Sequence, residues 1–99
     1  MDTINLEKES LNEKTALIKR LRRIEGQVKG IQKMIEAEKN CNDILTQVAA
    51  VRAAINKVGG MVLERHSKIC VQKALISDDK QKSLEDLIET VQKFLKFVD

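Results

Sequence analysis

Residues 17–35 read LIKRLRRIEGQVKGIQKMI, and apolar side chains recur within them at alternating steps of four and three residues. The repeating positions are Leu17, Leu21, Ile24, Val28, Ile31 and Ile35. This is the period of a helix packed along a narrow apolar seam, so it predicts one long α-helix. Upstream, Ser10 and Glu13 have the spacing of a capping box. We therefore expect the first helix over residues 11–37, preceded by a flexible N-terminal arm at residues 1–10, which lack an apolar period.

A second seam follows the polar break at residues 38–40. Its positions are Ile44, Val48, Val51, Ile55, Val58 and Val62, and the next two steps land on His66 and Ile69. The pattern predicts a second helix over residues 41–76, for which Asn40 and Asn42 are both candidate N-caps. The pair Gly59-Gly60 is its weak point, because two glycines cost ~2 kcal/mol of helix propensity and can host a kink.

A third, shorter helix is predicted after a turn at Ser77-Asp78-Asp79. Its apolar side consists of Leu84, Leu87, Ile88, Val91, Leu95 and Val98. The 99 residues include no proline and only 2% aromatic side chains, which argues against a sheet-rich fold. The sequence therefore predicts an all-α fold of three helices, with a single helical domain over residues 11–99 and two long antiparallel helices.

The seams of the first two helices are too narrow to enclose a core by themselves. Narrow seams suit long antiparallel helices in a bundle, and two such hairpins would complete one four-helix core. A chain of fewer than ~100 residues with almost no aromatic side chains also makes a thin core when alone. We therefore expect at least a homodimer.

The net charge of +3 conceals an asymmetry along the chain. Residues 14–39 and 40–76 are both basic, whereas both ends of the chain are acidic. A basic region of this kind is typical of a protein that binds a polyanion, although a solvated helix face explains such charge about as often.

Other function classes lack their signatures in this sequence. No apolar run approaches the ~18 residues of a membrane span, and no charged-then-apolar leader opens the chain, so we expect a soluble cytoplasmic protein without a membrane partner. The sequence has no Gly-rich phosphate loop, no Ser/His/Asp set and no paired-carboxylate motif. We therefore do not expect an enzyme.

Candidate metal ligands are the two cysteines and the single histidine, Cys41, His66 and Cys70. A helix places His66 and Cys70, four residues apart, on one face about 6 Å from each other, which suits two ligands of one metal. Cys41 lies roughly 38 Å from His66 along a continuous helix at ~1.5 Å per residue. Either Cys41 is uninvolved, or the helix folds back at Gly59-Gly60, or an antiparallel second copy of the chain supplies its Cys41.

Two thiolates and one imidazole form a soft set of three donors. Such a set suits Cu(I) better than calcium or magnesium, and zinc normally takes a fourth ligand. Two plainer interpretations compete with a metal site. A lone cysteine is usually a small buried hydrophobic residue, and a reactive pair of thiols can sense oxidants or sulfur species without a metal.

Two longer motifs resemble those of a known family. They are RLRRIEGQVKG at residues 20–30 and CNDILTQVAAVRAA at residues 41–54. On these motifs the chain resembles the CsoR/RcnR family of bacterial metal- and thiol-responsive repressors, from about Thr15 to the end of the sequence. The resemblance implies an all-helical homodimer that pairs into a homotetramer and binds operator DNA in its metal-free form.

Within that family, the ligand positions match the copper-sensing branch, in which Cu(I) is held by one Cys of one protomer and the His and Cys of the other. Cys41, His66 and Cys70 stand at those positions. The nickel/cobalt branch has a His in place of Cys70, the formaldehyde-sensing branch lacks the second Cys, and the persulfide-sensing branch lacks the His.

Two positions depart from the copper-sensing pattern. Asn40 stands where copper sensors commonly carry a Tyr, and Asp86, beside Glu85, stands where they carry a Glu. In the family these groups surround the ligands, hydrogen-bond to the His and link metal binding to DNA release. The resemblance therefore assigns Asn40, Glu85 and Asp86 to the surroundings of the metal site.

These observations together predict a copper(I)-responsive transcriptional repressor that leaves its operator when Cu(I) binds. A thiol- or persulfide-responsive, or a nickel-responsive, repressor of the same family is the alternative. No helix-turn-helix pattern is evident, so we expect phosphate contacts and DNA shape to dominate recognition. The resemblance points most directly to Arg20 and Lys57, while Gly26 leaves room for close approach beside Arg22 and Lys29. The candidate DNA-binding residues are Arg20, Arg22, Arg23, Lys29, Lys33, Arg52 and Lys57.

Overall fold

The computed structural model describes residues 3–76 and 78–96, with side chains from residue 8 onward. Within these ranges the chain consists of helices α1 (Thr3–Glu36), α2 (Cys41–Ile76) and α3 (Lys80–Lys96). The described residues include no strand, so the all-α prediction with two long helices is confirmed. None of the described helices has the length and apolar character needed to cross a bilayer.

Helix α1 begins at Thr3 rather than at Leu11, so Ser10 lies inside the helix instead of at its N-cap. The predicted boundary was wrong because a helix does not need an apolar period in order to continue. Residues 3–10 contain neither Gly nor Pro, and four of the eight are leucine, glutamate or lysine, which have high helix propensity. The mobility of residues 1–10 is a separate property and stays a prediction.

A tight turn at residues 37–40 joins α1 to α2. Glu38 adopts a left-handed backbone conformation with a φ of 53°. The N–H of Lys39 donates to the Met34 carbonyl and the N–H of Glu38 to the Ile35 carbonyl, both at 3.0 Å. These two bonds form a Schellman ending, which satisfies the last carbonyl groups of α1.

Asn40 is the N-cap of α2. Its side-chain Oδ1 accepts a hydrogen bond from the N–H of Asn42 at 2.8 Å, which decides between the two candidate caps. From there α2 continues as one helix to Ile76, and the pair Gly59-Gly60 does not interrupt it. The alternative in which the helix folds back at these glycines is therefore wrong.

The chain divides into two compact units, Met1–Gly59 and Gly60–Asp99. In the first unit the seam positions separate into two rows. One row is buried or half-buried and consists of Leu17, Ile24, Ile31, Ile44, Val51 and Val58. The other, which we call the uncovered row, is exposed and consists of Leu21, Val28, Ile35, Val48 and Ile55. The helical hairpin thus buries every second seam position: Ile24 is 6% exposed, whereas Val28 is 41% exposed.

The second unit contains the end of α2 and helix α3. Asp79 caps α3, because its Oδ1 accepts a hydrogen bond from the N–H of Lys82 at 3.0 Å, as the predicted turn requires. Ala74 is buried, but Leu75 and Ile76 are 72% and 87% exposed, so this unit also has apolar side chains open to solvent. Helix α2 contributes residues to both units. A single helical domain over residues 11–99 stays a prediction.

Candidate metal centre and basic surface

His66 and Cys70 lie one turn apart on α2, and their side chains are in contact. The Cys70 Sγ is 3.3 Å from the His66 Nε2, and both residues are half-buried. The i, i+4 spacing predicted this contact, since a helix places such positions on one face. We call these residues the thiol–imidazole pair. Once the thiol has lost its proton, the pair offers a sulfur and a nitrogen donor side by side.

Cys41 is the first residue of α2, and its side chain is exposed. Among the residues that the structure describes, no three His, Cys, Asp or Glu side chains are grouped so that they could hold a metal ion. The chain thus brings together two of the three predicted ligands. With the fold-back alternative removed, either Cys41 takes no part or a second copy of the chain supplies it.

The residues expected around the ligands have other contacts within this chain. Asn40 caps α2. The Glu85 Oε1 accepts a hydrogen bond from the Gln81 Nε2 at 3.1 Å, and the Asp86 backbone carbonyl accepts one from the Thr90 hydroxyl at 2.9 Å. Both carboxylates are exposed on α3 and form no three-residue group with the thiol–imidazole pair. Their role toward a metal stays a prediction.

All seven candidate DNA-binding side chains are exposed, and four of them border two different concavities. Arg22 and Lys29 border an apolar groove of about 500 Å³ on α1, together with Leu21 and Val28 of the uncovered row. A Cβ added at Gly26 would meet nothing within 4 Å, so the surface around this residue is open, and close approach of DNA there stays a prediction.

Arg20 and Arg23 border a smaller concavity in the first unit, which we call the arginine hollow. It holds about 120 Å³ and lies between α1 and α2, where Ile24, Gln27 and Ala54 complete its lining. The Oε1 of Gln27 is buried without a hydrogen-bond partner. Sequence reasoning missed Gln27 and Ala54, although Arg20, Arg23 and Gln27 follow the steps of one helix face.

Comparison with known proteins decides the family. A model of the metal-sensitive transcriptional repressor family matches residues 13–93. The chain belongs to this family. The resemblance carried by the two motifs is therefore confirmed over most of the sequence. Membership in a family of repressors also agrees with the prediction that the protein is not an enzyme.

The proteins to which this chain is similar include copper-sensing and nickel-responsive regulators. It is 43% identical over 91 residues to the copper-sensing transcriptional repressor CsoR of Bacillus subtilis (strain 168), a match that covers 92% of this chain and 90% of the relative. The solved structure of the copper-sensing repressor CsoR with Cu(I) from Geobacillus thermodenitrificans NG80-2 is similar, with a TM-score of 0.75, 44% identity and coverage of 85% of this chain and 88% of that chain. The structure of the nickel-responsive transcriptional regulator InrS gives a TM-score of 0.74 at 34% identity, covering 81% of this chain and 90% of that chain.

Proposed function

We propose that this repressor responds to Cu(I): it binds operator DNA in its metal-free form, and Cu(I) binding releases it. The observation that carries the proposal is the thiol–imidazole pair, with the Cys70 Sγ 3.3 Å from the His66 Nε2. Together with Cys41, the pair supplies two sulfur donors and one nitrogen donor, a soft set that suits Cu(I). The likeness to two copper-sensing CsoR proteins supports the same metal.

A second copy of the chain is proposed to complete the metal site. The uncovered row offers an apolar surface on which another hairpin can pack, because its five side chains are 41–58% exposed. An antiparallel arrangement of two α2 helices would bring the Cys41 of each protomer to the thiol–imidazole pair of the other. This arrangement gives two equivalent sites in a homodimer, which we propose pairs further into a homotetramer.

Basic side chains on α1 and α2 are proposed to bind the operator. Lys and Arg that neutralise phosphates supply most of the affinity of such proteins and make it steeply salt-dependent, with a log–log slope of about −0.9 for each phosphate contacted. The residues proposed for these contacts are exposed in the structure, and they are Arg20, Arg22, Arg23, Lys29, Lys33, Arg52 and Lys57.

Release from DNA requires that the metal site influences the DNA-binding surface. Such coupling is typically worth 1–3 kcal/mol. His66 has one ring nitrogen to offer a metal and a second with which to donate to an acceptor, and this outer hydrogen bond fixes a ligand's ring. We propose Asp86 of α3 as that acceptor, with Glu85 as its neighbour. Both belong to the same compact unit as His66.

An anaerobic Cu(I) titration of DNA-bound protein tests the proposed function. The metal-free protein is first used to select an operator fragment from genomic DNA, and the labelled fragment is then followed by fluorescence anisotropy. We expect binding to be lost as Cu(I) approaches about one equivalent per protomer, which two shared sites per dimer require. Ni(II) and a persulfide donor are added in parallel. Release by either of these, with none by Cu(I), would overturn the proposal.

Nickel is the second candidate inducer, because the chain is also similar in structure to the nickel-responsive regulator InrS. The available donors favour copper over nickel. The chain has a single histidine and two cysteines, and sulfur-rich donor sets favour Cu(I). A thiol-based sensor is distinguished by mutation. In the presence of an oxidant or a persulfide it would link the Cys41 of one protomer to the Cys70 of the other without metal, so His66→Ala would leave its response intact.

A further inference from the structure

The arginine hollow has the lining of a binding site for one oxyanion. Arg20 and Arg23 of α1 border it, and Gln27 and Ala54 complete its wall. We infer that this hollow binds a single phosphate of the DNA backbone, and that Gln27 positions one of the two arginines for it. This assignment rests on the proposed DNA binding and adds to it a defined point of contact on each protomer.

Gln27 contributes a polar atom whose bonding is incomplete. Its Oε1 is buried and has no hydrogen-bond partner in the structure. Since a buried acceptor without a partner is costly, a nearby donor is expected to bind it. The N–H donors that share the hollow are the guanidinium groups of Arg20 and Arg23. Arg23 precedes Gln27 by four residues, the spacing at which two side chains on a helix meet.

An arginine that donates one hydrogen bond to the Gln27 Oε1 would keep most of its donors for a ligand. A guanidinium group carries five N–H donors in a planar fork, so one bond to Gln27 leaves the others available. The second guanidinium borders the same hollow, and no carboxylate is among the residues that line it. Two arginines without a competing carboxylate favour a phosphate group, which accepts such forked hydrogen bonds.

The size of the hollow limits what can occupy it. Its volume of about 120 Å³ is well below the range of roughly 300–1,000 Å³ that pockets for small organic molecules occupy. Ile24 lines it and is buried, and Ala54 is the residue through which α2 closes it. The small side chain at position 54 therefore determines how much room is left for an oxyanion.

Filling the hollow tests this site. Ala54→Leu extends an apolar side chain from the wall into the hollow, and Ala53→Leu makes the same change at an exposed neighbour that does not line it. We expect Ala54→Leu to weaken operator binding about tenfold, and to reduce the slope of log K against log salt by about 0.9 for each protomer that contacts DNA. Ala53→Leu should change neither quantity. Circular dichroism confirms that both variants are folded.

Gln27→Met provides a second variant that does not fill the hollow. It preserves the length of the side chain and removes the amide, so the arginines keep their charge but lose the acceptor that we propose fixes one of them. We expect operator affinity to fall roughly threefold with the salt slope unchanged, in contrast to Arg23→Ala, which should also lower the slope. An affinity equal to that of the parent would contradict the positioning role of Gln27.

A titration with inorganic phosphate distinguishes an error in the proposed phosphate site from an error in the proposed function. It is titrated into the metal-free protein without DNA, and the side-chain amide signals of Gln27 are followed by NMR. Signals that move in the parent and stay fixed in Ala54→Leu support an oxyanion site independently of any DNA result. If the parent binds DNA and Ala54→Leu matches Ala53→Leu in affinity and salt slope, the DNA contact is wrong while the proposed function stands. If the parent binds no operator, the proposed function and the DNA contact are wrong, and the phosphate titration alone decides whether the hollow is an oxyanion site.

Discussion

His66 and Cys70 meet at 3.3 Å because one turn of helix separates them, so the spacing of two metal donors is set by the backbone. Donors held in place in this way lose little side-chain freedom when they bind an ion. Cys41 differs, because it is exposed at the first position of α2 and needs a second copy of the chain to reach the pair.

Removing one donor of the pair should separate metal binding from DNA binding. We expect His66→Ala and Cys70→Ala each to lower Cu(I) affinity by at least about 100-fold, since a lost ligand should cost no less than a lost outer-shell partner. Metal-free operator binding should remain. Ser67→Ala, a change on the same turn, serves as the control. Competition with a chromophoric Cu(I) chelator measures the affinities, and an unchanged value in both variants would exclude the pair as ligands.

Asp86 offers a test of signalling that spares the ligands. We expect Asp86→Ala to bind Cu(I) nearly as tightly as the parent and to lose part of the coupling of 1–3 kcal/mol between Cu(I) and DNA. Glu89→Ala is the matched control, because it removes another exposed carboxylate of α3, one that pairs with Lys93 at 3.1 Å. Operator affinity with and without stoichiometric Cu(I) measures the coupling. If Asp86→Ala releases DNA as completely as the parent does, Asp86 is not the acceptor.

In the turn between α1 and α2, Glu38 adopts an unfavourable backbone conformation. Glu38 has a φ of 53°, in the left-handed region that disfavours residues with a Cβ by roughly 1–2 kcal/mol. Glycine is the usual residue at this point of a Schellman ending. We expect Glu38→Gly to raise the free energy of unfolding by about 1 kcal/mol, measured by urea denaturation at fixed protein concentration.

Glu36→Gly is the control for this change. It places the same glycine in the last turn of α1, where the backbone is helical, and should lower the free energy of unfolding by up to about 1 kcal/mol. Destabilisation by both substitutions would show that the conformation of Glu38 carries no strain.

Features set by residue spacing within one helix were predictable from the sequence, whereas features formed between two helices were not. The seam period predicted α1 and α2 because the spacing of apolar residues follows directly from helix geometry. The start of α1 did not follow from it, since residues 3–10 are helical without an apolar face of regular period. The contact between His66 and Cys70 was predictable because it lies within one helix. The arginine hollow was not, because Ala54 joins it from another helix.

For the whole molecule, the uncovered row predicts the oligomeric state. Ile55 belongs to it and is 45% exposed. We expect Ile55→Glu to shift the protein toward monomer, since a carboxylate buried between two hairpins would lack a partner. Asn56→Glu changes an exposed neighbour outside the row and should leave the assembly intact. Sedimentation equilibrium distinguishes the two, and an equal distribution of species in both variants would place the interface elsewhere.

Two copies of the chain are proposed to share each metal site, and mixing two variants that each lack part of the donor set tests this arrangement. Cys41→Ala protomers lack one donor, and His66→Ala/Cys70→Ala protomers lack the other two, so neither forms a complete site alone. Mixed dimers contain one complete site if the donors come from different protomers. We predict that the mixture recovers tight Cu(I) binding that neither parent shows, measured by chelator competition after the subunits have exchanged. A mixture that binds Cu(I) no better than its two components would contradict the shared site.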